Sequence, residues 1–482
     1  MTRLRPLYLL SLIAALSLNI ACNKDDETYY YSEASYTNCG LTSFSINANN
    51  KILAGLDSVY FSIDLITAQV FNADSLPPET DVTRLVPSIS AQAARTIELT
   101  FKSRFTGNDT TVNFTENPKD SINFSSPVKL TVTAYNSNTK RDYTVKVNVH
   151  TVKSDTLVWD NDPVLSLPAD FTAQRSVKIG DRLITLGHNA SGDWSLITTT
   201  GIPGETAPSV EPATVPASAD LNSFSATGQA LYIADTDGTL YTSTDFGTSW
   251  ASTGATMHCV YGGYGDTLLG SRRDNDGWHQ VTWPAAADEP LLPSGCPVSG
   301  TSQLITYESK WTSAPIAIMI GGRDASGHLS GDAWAYDGSA WNRVSTLGID
   351  ERTGVTLLPY FTPYTTGAWR VDEQSVLLAM GGTYEGENGT EVSNTVYISR
   401  DMGITWAKGS TYLQFPESFP GFYDGQAFVI DSRLSVDSRI SRPITSWECP
   451  YIYLYGGLKA DGSLLTDVSR GVINRFTFKP LQ

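Results

Sequence analysis

The 482 residues carry 33 Lys and Arg against 50 Asp and Glu, a formal charge of −17. A chain of this length holds two or three domains with sizeable cores, and its acidic balance argues against nucleic acid and other phosphate-rich partners. Beyond Leu18 no stretch approaches 18 consecutive apolar residues, so no later segment reads as a membrane-spanning helix.

Arg3 and Arg5 precede an apolar run from Leu7 to Leu18, too short to span a bilayer, so residues 1–21 read as a signal peptide. Without it the charge becomes −19. Cys22 follows Ala21, then come Lys24, Asp25, Asp26 and Glu27, and residues 22–38 have the polar character of a tether. A small residue before cysteine resembles the lipobox of bacterial lipoproteins, although Asn19 stands where most lipoboxes carry leucine. The resemblance implies a diacylated Cys22 and hence a stable membrane anchor. The Lys-plus-acidic run resembles the export signal of Bacteroidota surface lipoproteins, which implies an outer-membrane protein facing the cell exterior.

With Cys22 lipidated, Cys39, Cys259, Cys296 and Cys449 remain, an even set in an oxidising compartment. Three pairings can be drawn. Cys259 with Cys296 is favoured by nearness, and free buried thiols are the alternative.

Residues 39–152 contain no tryptophan and alternate apolar with polar residues, as in 43–47 and 96–101, the mark of half-buried strands. Val128 to Val149 reads as a hairpin turned at Asn136-Ser137-Asn138, with Tyr143, Val145, Val147 and Val149 on one face. This stretch resembles the closing hairpin of the immunoglobulin-like β-sandwich modules that begin many Bacteroidota surface lipoproteins. Such a module implies a spacer.

From residue 153 to 482 short apolar strands alternate with Gly, Asp and Trp, and all eleven tryptophans lie here. Three apolar strands end in a glycine pair, Gly321-Gly322, Gly381-Gly382 and Gly456-Gly457. Each is followed by a second strand and a closing aromatic, Trp341, Trp406 or Phe476. The pattern resembles Kelch repeats. Two further segments, Ser243-x-Asp245-x-Gly247-x-x-Trp250 and Ser399-x-Asp401-x-Gly403-x-x-Trp406, resemble Asp-boxes, hairpin turns in which Asp accepts turn amides and Trp pins the turn. Weaker copies occur around Gly187 and Gly270. Together they imply an all-β chain, a β-sandwich followed by a β-propeller of about six blades. The strand at Thr156 to Trp159 is expected to close the ring against the last strand.

No catalytic set is recognisable. The sialidase signature is missing, its nearest approach being Arg439-Ile440-Ser441-Arg442-Pro443, and the five histidines show no metal-ligand spacing. The acidic turns at 235–238 and 274–277 suit hairpins better than calcium. Neither cofactor nor metal is implied. Two insertions, 204–218 and 360–373, break the repeat, and the second gathers Tyr360, Phe361, Tyr364, Trp369 and Arg370, residues suited to stacking on sugars or anchoring a protein contact. Ser58, Ser75, Thr110, Ser121, Thr156 and Thr267 each follow Asp and resemble the O-glycosylation sites of exported Bacteroidota proteins. The expectation is a binding protein for an extracellular glycan or protein, without catalysis. A glycan hydrolase and a structural surface component are the alternatives.

Overall fold

A computed structural model describes residues 39–135, 138–151, 153, 155–308, 314–365, 371–387, 389–430 and 450–473. Cys22, the run from Lys24 to Glu27, Cys449 and Phe476 lie outside them, as does most of the expected turn at 136–138. The described residues form two units, one of 39–75 and 80–148, the other of 76–79 and 149–473.

The first unit has eight strands: β1 (Leu41–Ile46), β2 (Phe61–Asp64), β3 (Gln69–Asn72), β4 (Pro87–Ala91), β5 (Ala94–Lys102), β6 (Asp109–Asn113), β7 (Val128–Ala134) and β8 (Lys140–Lys146). β1 pairs with β4, and the others form a sheet in the order β2-β3-β8-β7-β5-β6. The expected hairpin is β7–β8, with Leu130 opposite Tyr143 and Val132 opposite Arg141. Alternation decides its faces: Tyr143 and Val145 are buried while Asp142, Thr144 and Lys146 face water. Each apolar side chain so buried contributes about 1.5–3 kcal/mol. The Tyr143 hydroxyl ties down the first described residues, donating to Cys39 O at 3.2 Å and accepting from Leu41 N at 3.0 Å.

The second unit begins with two short strands, β9 (Leu157–Trp159) and β10 (Leu165–Ser166). Sheets follow in chain order. The first holds β11 (Phe171–Ile179), β12 (Arg182–Asn189), β13 (Trp194–Thr200) and β14 (Ser209–Pro212). The second holds β15 (Ala219–Ala226), β16 (Leu231–Asp235), β17 (Thr239–Ser243) and β18 (Ala251–Thr256). The third holds β19 (Cys259–Tyr264), β20 (Thr267–Asp274) and β21 (Gly277–Trp283). The fourth holds β22 (Ile305–Tyr307), β23 (Ile316–Ile320), β24 (Ala333–Tyr336) and β25 (Trp341–Arg343). In the fifth, β26 (Thr356–Thr365) and β27 (Val371–Met380) precede an inserted hairpin, β28 (Thr383–Gly386) and β29 (Gly389–Val392). β30 (Val396–Ser399) and β31 (Ala407–Lys408) complete it. The sixth sheet among the described residues is β32 (Gln426–Ile430), β33 (Tyr451–Tyr455) and β34 (Asp467–Ile473), joined by β9 and β10.

The first strands line the inside of a ring: β11 lies against β15 and β32, β15 against β19, and β26 against β22 and β32. Between β19 and β22 the Thr306 hydroxyl donates to Gly263 O. The ring closes as expected, with Trp159, Val158 and Leu157 opposite Gly471, Val472 and Ile473. Trp159 then stacks on Phe415 at 5.0 Å, so closure buries an aromatic as well as satisfying a strand edge. This is the β-propeller architecture.

Candidate functional site

The three glycine pairs occupy equivalent places. Each ends a second strand with both residues at positive φ, 73° and 105°, 71° and 92°, and 60° and 98° in turn. The residue after each pair forms a bridge to the loop leading into its own sheet, Arg323 to Ser299, Thr383 to Thr353, and Leu458 to Tyr423. Gly322 N also donates to Arg352 O and Gly382 N to Phe422 O, binding these two pairs to the next sheet. A Cβ on Gly381 would stand 2.5 Å from Phe422 O, which is why glycine is needed there. By contrast, Gly187 and Gly270, read as weaker copies, fall inside strands β12 and β20 rather than at their ends. They are small because Phe171 and Cys259 O press on them.

The two Ser-x-Asp-x-Gly-x-x-Trp turns superpose in their bonding. Ser243 and Ser399 donate to Asp245 and Asp401 and accept from Gly247 N and Gly403 N. Asp245 accepts from the Ser249 amide and hydroxyl, and Asp401 from those of Thr405. These turns follow third strands, so they lie at the end of the ring opposite the glycine pairs, and the Ser and Asp side chains of the motif are engaged in building them. Trp406 is 2% exposed and its indole N–H donates to Gly403 O. Trp250 is only half-buried.

The expected binding loop needs correction. Tyr360, Phe361 and Tyr364 lie in β26, not in a loop, and Tyr360 is fully buried. Its hydroxyl donates to Pro450 O at 2.9 Å and accepts from Ile473 N at 3.0 Å, joining the fifth sheet to the sixth. The interruption of the repeat spacing that suggested a loop is instead a lengthening of the first two strands of this sheet, β26 and β27, which pair from Thr356 opposite Met380 to Thr365 opposite Val371. Trp369 and Arg370 are outside the described residues, as is the side chain of Tyr364. The other insertion, 204–218, supplies β14, an outer strand.

The expected Cys259–Cys296 disulfide is also overturned: both thiols are free. Cys259 and Cys296 pack in one apolar cluster with Tyr261 and Trp341, where burial pushes each thiol up to about 12 and leaves it a small apolar filler. The acidic turns are hairpin chemistry. Asp235 accepts from the amides of Asp237 and Thr239, and Asp274 is held by Arg272 at 2.9 Å. Of the residues matched to O-glycosylation, Ser58, Thr110 and Ser121 are exposed and Ser75, Thr156 and Thr267 half-buried.

What sequence reasoning missed is the cavity at the centre of the ring, toward the glycine-pair end. Its volume is about 280 Å³, and every sheet contributes: Arg175, Asp220, His258, Gly300, Thr353 and Asp424 come from the first through sixth in order. Arg175 lies on β11 and its Nε donates to Phe224 O at 3.1 Å, the one hydrogen bond its guanidinium makes among the described residues. Burial holds its pKa below the usual arginine value, against the pull of Asp424, Asp220 and Cys259. Burial also pushes the Asp424 carboxyl up, with the Arg175 charge opposing.

Asp424 is placed by an unusual backbone. Gly300, Gly354 and Asp424 each follow the bridge residue before a first strand, with φ of 61°, 68° and 55°. Backbone bonds link them around the channel, Gly354 N to Gly300 O and Asp424 N to Gly354 O. A left-handed conformation that two sheets assign to glycine is here held by an aspartate that shares the cavity with the half-buried Arg175, a strain that needs a reason. A wider groove of about 730 Å³ lies between the fourth and fifth sheets and holds an ion pair. Arg323 meets Glu385 there at 3.3 Å. Beneath it Arg352 donates to Gly381 O and to the Tyr397 hydroxyl, which burial and Asp350 push up to about 12. Among the described residues no three His, Cys, Asp or Glu side chains group as metal ligands.

The architecture and this polar channel define a two-domain all-β protein with a C-terminal β-propeller. The chain belongs to the DUF6242 family: residues 153–481 match its beta propeller domain and residues 23–147 its N-terminal domain, described as a domain of unknown function. None of the curated proteins compared matches the sequence. Among solved structures, YjhT is 12% identical with a TM-score of 0.39, covering 63% of this chain and 96% of its own. Aleuria aurantia lectin in complex with alpha-methyl-L-fucoside is 11% identical with a TM-score of 0.34, covering 64% and 97%. A mutant of AofleA from Arthrobotrys oligospora is 11% identical with a TM-score of 0.39, covering 68% and 89%. Likenesses this distant carry no argument about ligand or activity.

Proposed function

We propose that this protein is a Bacteroidota surface lipoprotein, anchored through Cys22, whose propeller binds a polar segment of an extracellular glycan or protein in its channel without turning it over. The observation that carries the reading is the cavity lined by Arg175, Asp220 and Asp424. A rigid scaffold that brings unpaired hydrogen-bonding charge from several sheets to one place is a means of recognition. In this reading each sheet is a blade, six in all, the glycine pairs and the two Asp turns are the Kelch and Asp-box elements that build them, and the first unit is an immunoglobulin-like spacer. The anchor and the outward address are supported by Ala21-Cys22 and by Lys24 to Glu27.

A hydrolytic reading draws on one specific feature, a carboxyl raised by burial at Asp424 with a second carboxylate, Asp220, on the same cavity wall. Arrays of glycans and peptides, read for both binding and released product, separate the two. Binding lost in Arg175→Gln and Asp424→Asn with no product from the parent supports recognition. Product release that stops in Asp424→Asn would establish the hydrolase, and binding unchanged in both variants would remove the channel from the site. Protease shaving of intact cells tests the address, and Cys22→Ala tests the anchor.

A further inference from the structure

We infer that one end of the N-terminal unit is a membrane-contact surface, on which this unit rests against the lipid headgroups. The inference rests on the proposed lipid anchor for its biological setting and on the unit's own geometry for its chemistry. β2 ends at Asp64 and β3 starts at Gln69; β8 runs parallel to β3, and β7 and β5 antiparallel to β8 and to each other's direction in turn. The turn at 65–68, the end of β7 and the start of β5 therefore share one end of the sheet.

Three large apolar residues stand in the open there: Ile66 is 97% exposed, Tyr135 59% and Leu65 47%. The first is held out by a rigid turn. Asp64 accepts from the amides of Ile66 and Thr67 and from the Thr67 hydroxyl, and Ala68 takes a φ of 54°. Scattered exposed apolar residues need no explanation, whereas a group on one end with a basic rim does. Arg95 and Lys140 are exposed at the same end, and Arg141 donates to Leu65 O. Arg95 reaches Asn138 at 3.5 Å, and Tyr135 N donates to Ala93 O. In a chain with 50 acidic residues and 33 basic ones, this local grouping of cations with aliphatic and aromatic tips fits an anionic lipid interface.

The chain path supplies the second argument. Cys39 and Gly40 enter at this end, the Cys39 thiol contacting Thr139 O at 3.7 Å and Gly40 O accepting from Gln92 N at 3.0 Å. Only the residues between 22 and 39 separate this surface from the proposed acyl chains, so a short tether holds it at high effective concentration near the bilayer. β8 finishes at the other end, and Phe105, 82% exposed with Arg104 over its ring, lies there too and serves as a control.

The test uses the full mature chain with Cys22→Ser, so that partition depends on the surface alone, and measures binding to vesicles of phosphatidylethanolamine with phosphatidylglycerol. Ile66→Asp is expected to weaken partition about tenfold, since the aliphatic insertion is lost, while Phe105→Asp leaves it unchanged. Arg95→Glu with Lys140→Glu is expected to abolish the preference for phosphatidylglycerol over phosphatidylcholine. Absence of partition in the Cys22→Ser chain, or equal affinities for the Ile66→Asp and Phe105→Asp variants, overturns the inference. The acylated chain gives a separate readout: amides 65–68 should exchange more slowly in vesicles than in detergent. A mass spectrum showing Cys22 unmodified would end the lipoprotein reading while leaving the partition result to decide this one.

Discussion

Replacing Tyr360 with phenylalanine separates a structural tyrosine from a ligand-stacking one. The hydroxyl accepts from Ile473 N at 3.0 Å and donates to Pro450 O at 2.9 Å, and the side chain is fully buried. Phenylalanine keeps the ring and strands one N–H and one C=O. A buried orphan donor costs about 1–3 kcal/mol, and the carbonyl somewhat less because it has a second lone pair, so the variant should lose about 2–3 kcal/mol. For a unit of roughly 330 residues this lowers Tm by about 3–4 °C. All eleven tryptophans lie between Trp159 and Trp447, so their fluorescence follows the propeller and not the first unit. An unchanged midpoint would refute the stitch between sheets, and lost ligand binding at an unchanged midpoint would return Tyr360 to a binding role.

Gly381→Ala should destabilise the propeller by about 2 kcal/mol or more, combining an L-residue at φ 71° with a contact at 2.5 Å, and chemical denaturation should show it. Gly107→Ala, at φ 69° with open space around it, should cost only the conformational strain. The Ser249 hydroxyl and amide, with Ser243, hold Asp245 down to about 2. Its contribution to the turn is therefore complete above its unfolded pKa near 4 and is lost as pH falls toward 2. Carboxyl NMR titration of Asp245 checks this, and a midpoint near 4 would contradict it. Asp424 titrates the other way: burial raises its folded pKa despite Arg175, so its effect favours the fold at low pH and is lost as pH rises from its unfolded value through the folded one. Asp424→Asn should accordingly gain thermal stability relative to the parent at pH 7 more than at about pH 4.

Much of the fold was legible because its rules are local. Alternation located β7–β8, the glycine pairs marked second-strand ends, the Ser-Asp-Gly-Trp segments marked outer turns, and Leu157 to Trp159 was identifiable as the closing strand. The binding-loop reading failed because a break in repeat spacing looks the same in sequence whether it adds a loop or lengthens a strand pair, as it does in β26 and β27. The disulfide reading failed because nearness in sequence says nothing of thiol orientation in an apolar cluster.

The channel residues were hidden for a different reason. A cavity built from one residue per sheet has no signature in any single segment, since Arg175, Asp220 and Asp424 are brought together only by ring closure. Aligning the sheet entries would have revealed one signal, the aspartate standing where Gly300 and Gly354 mark a left-handed position. Repeats built on a shared backbone leave function to the places where one copy departs from the others at a cost in stability. Asp424 meets that description twice, in its φ of 55° and in a carboxyl buried against its own ionisation. Asp424→Gly should therefore relieve the strain of about 1 kcal/mol that an L-residue bears in this conformation. It restores the residue that the equivalent sheets use, and removes the carboxylate from Arg175. Thermal melting of this variant at neutral pH, beside its binding to any ligand the arrays identify, separates the two roles. A melting point at or above the parent's with binding lost marks Asp424 as a residue kept for recognition, whereas a lower melting point shows that the aspartate supports the ring and that the strain argument is wrong.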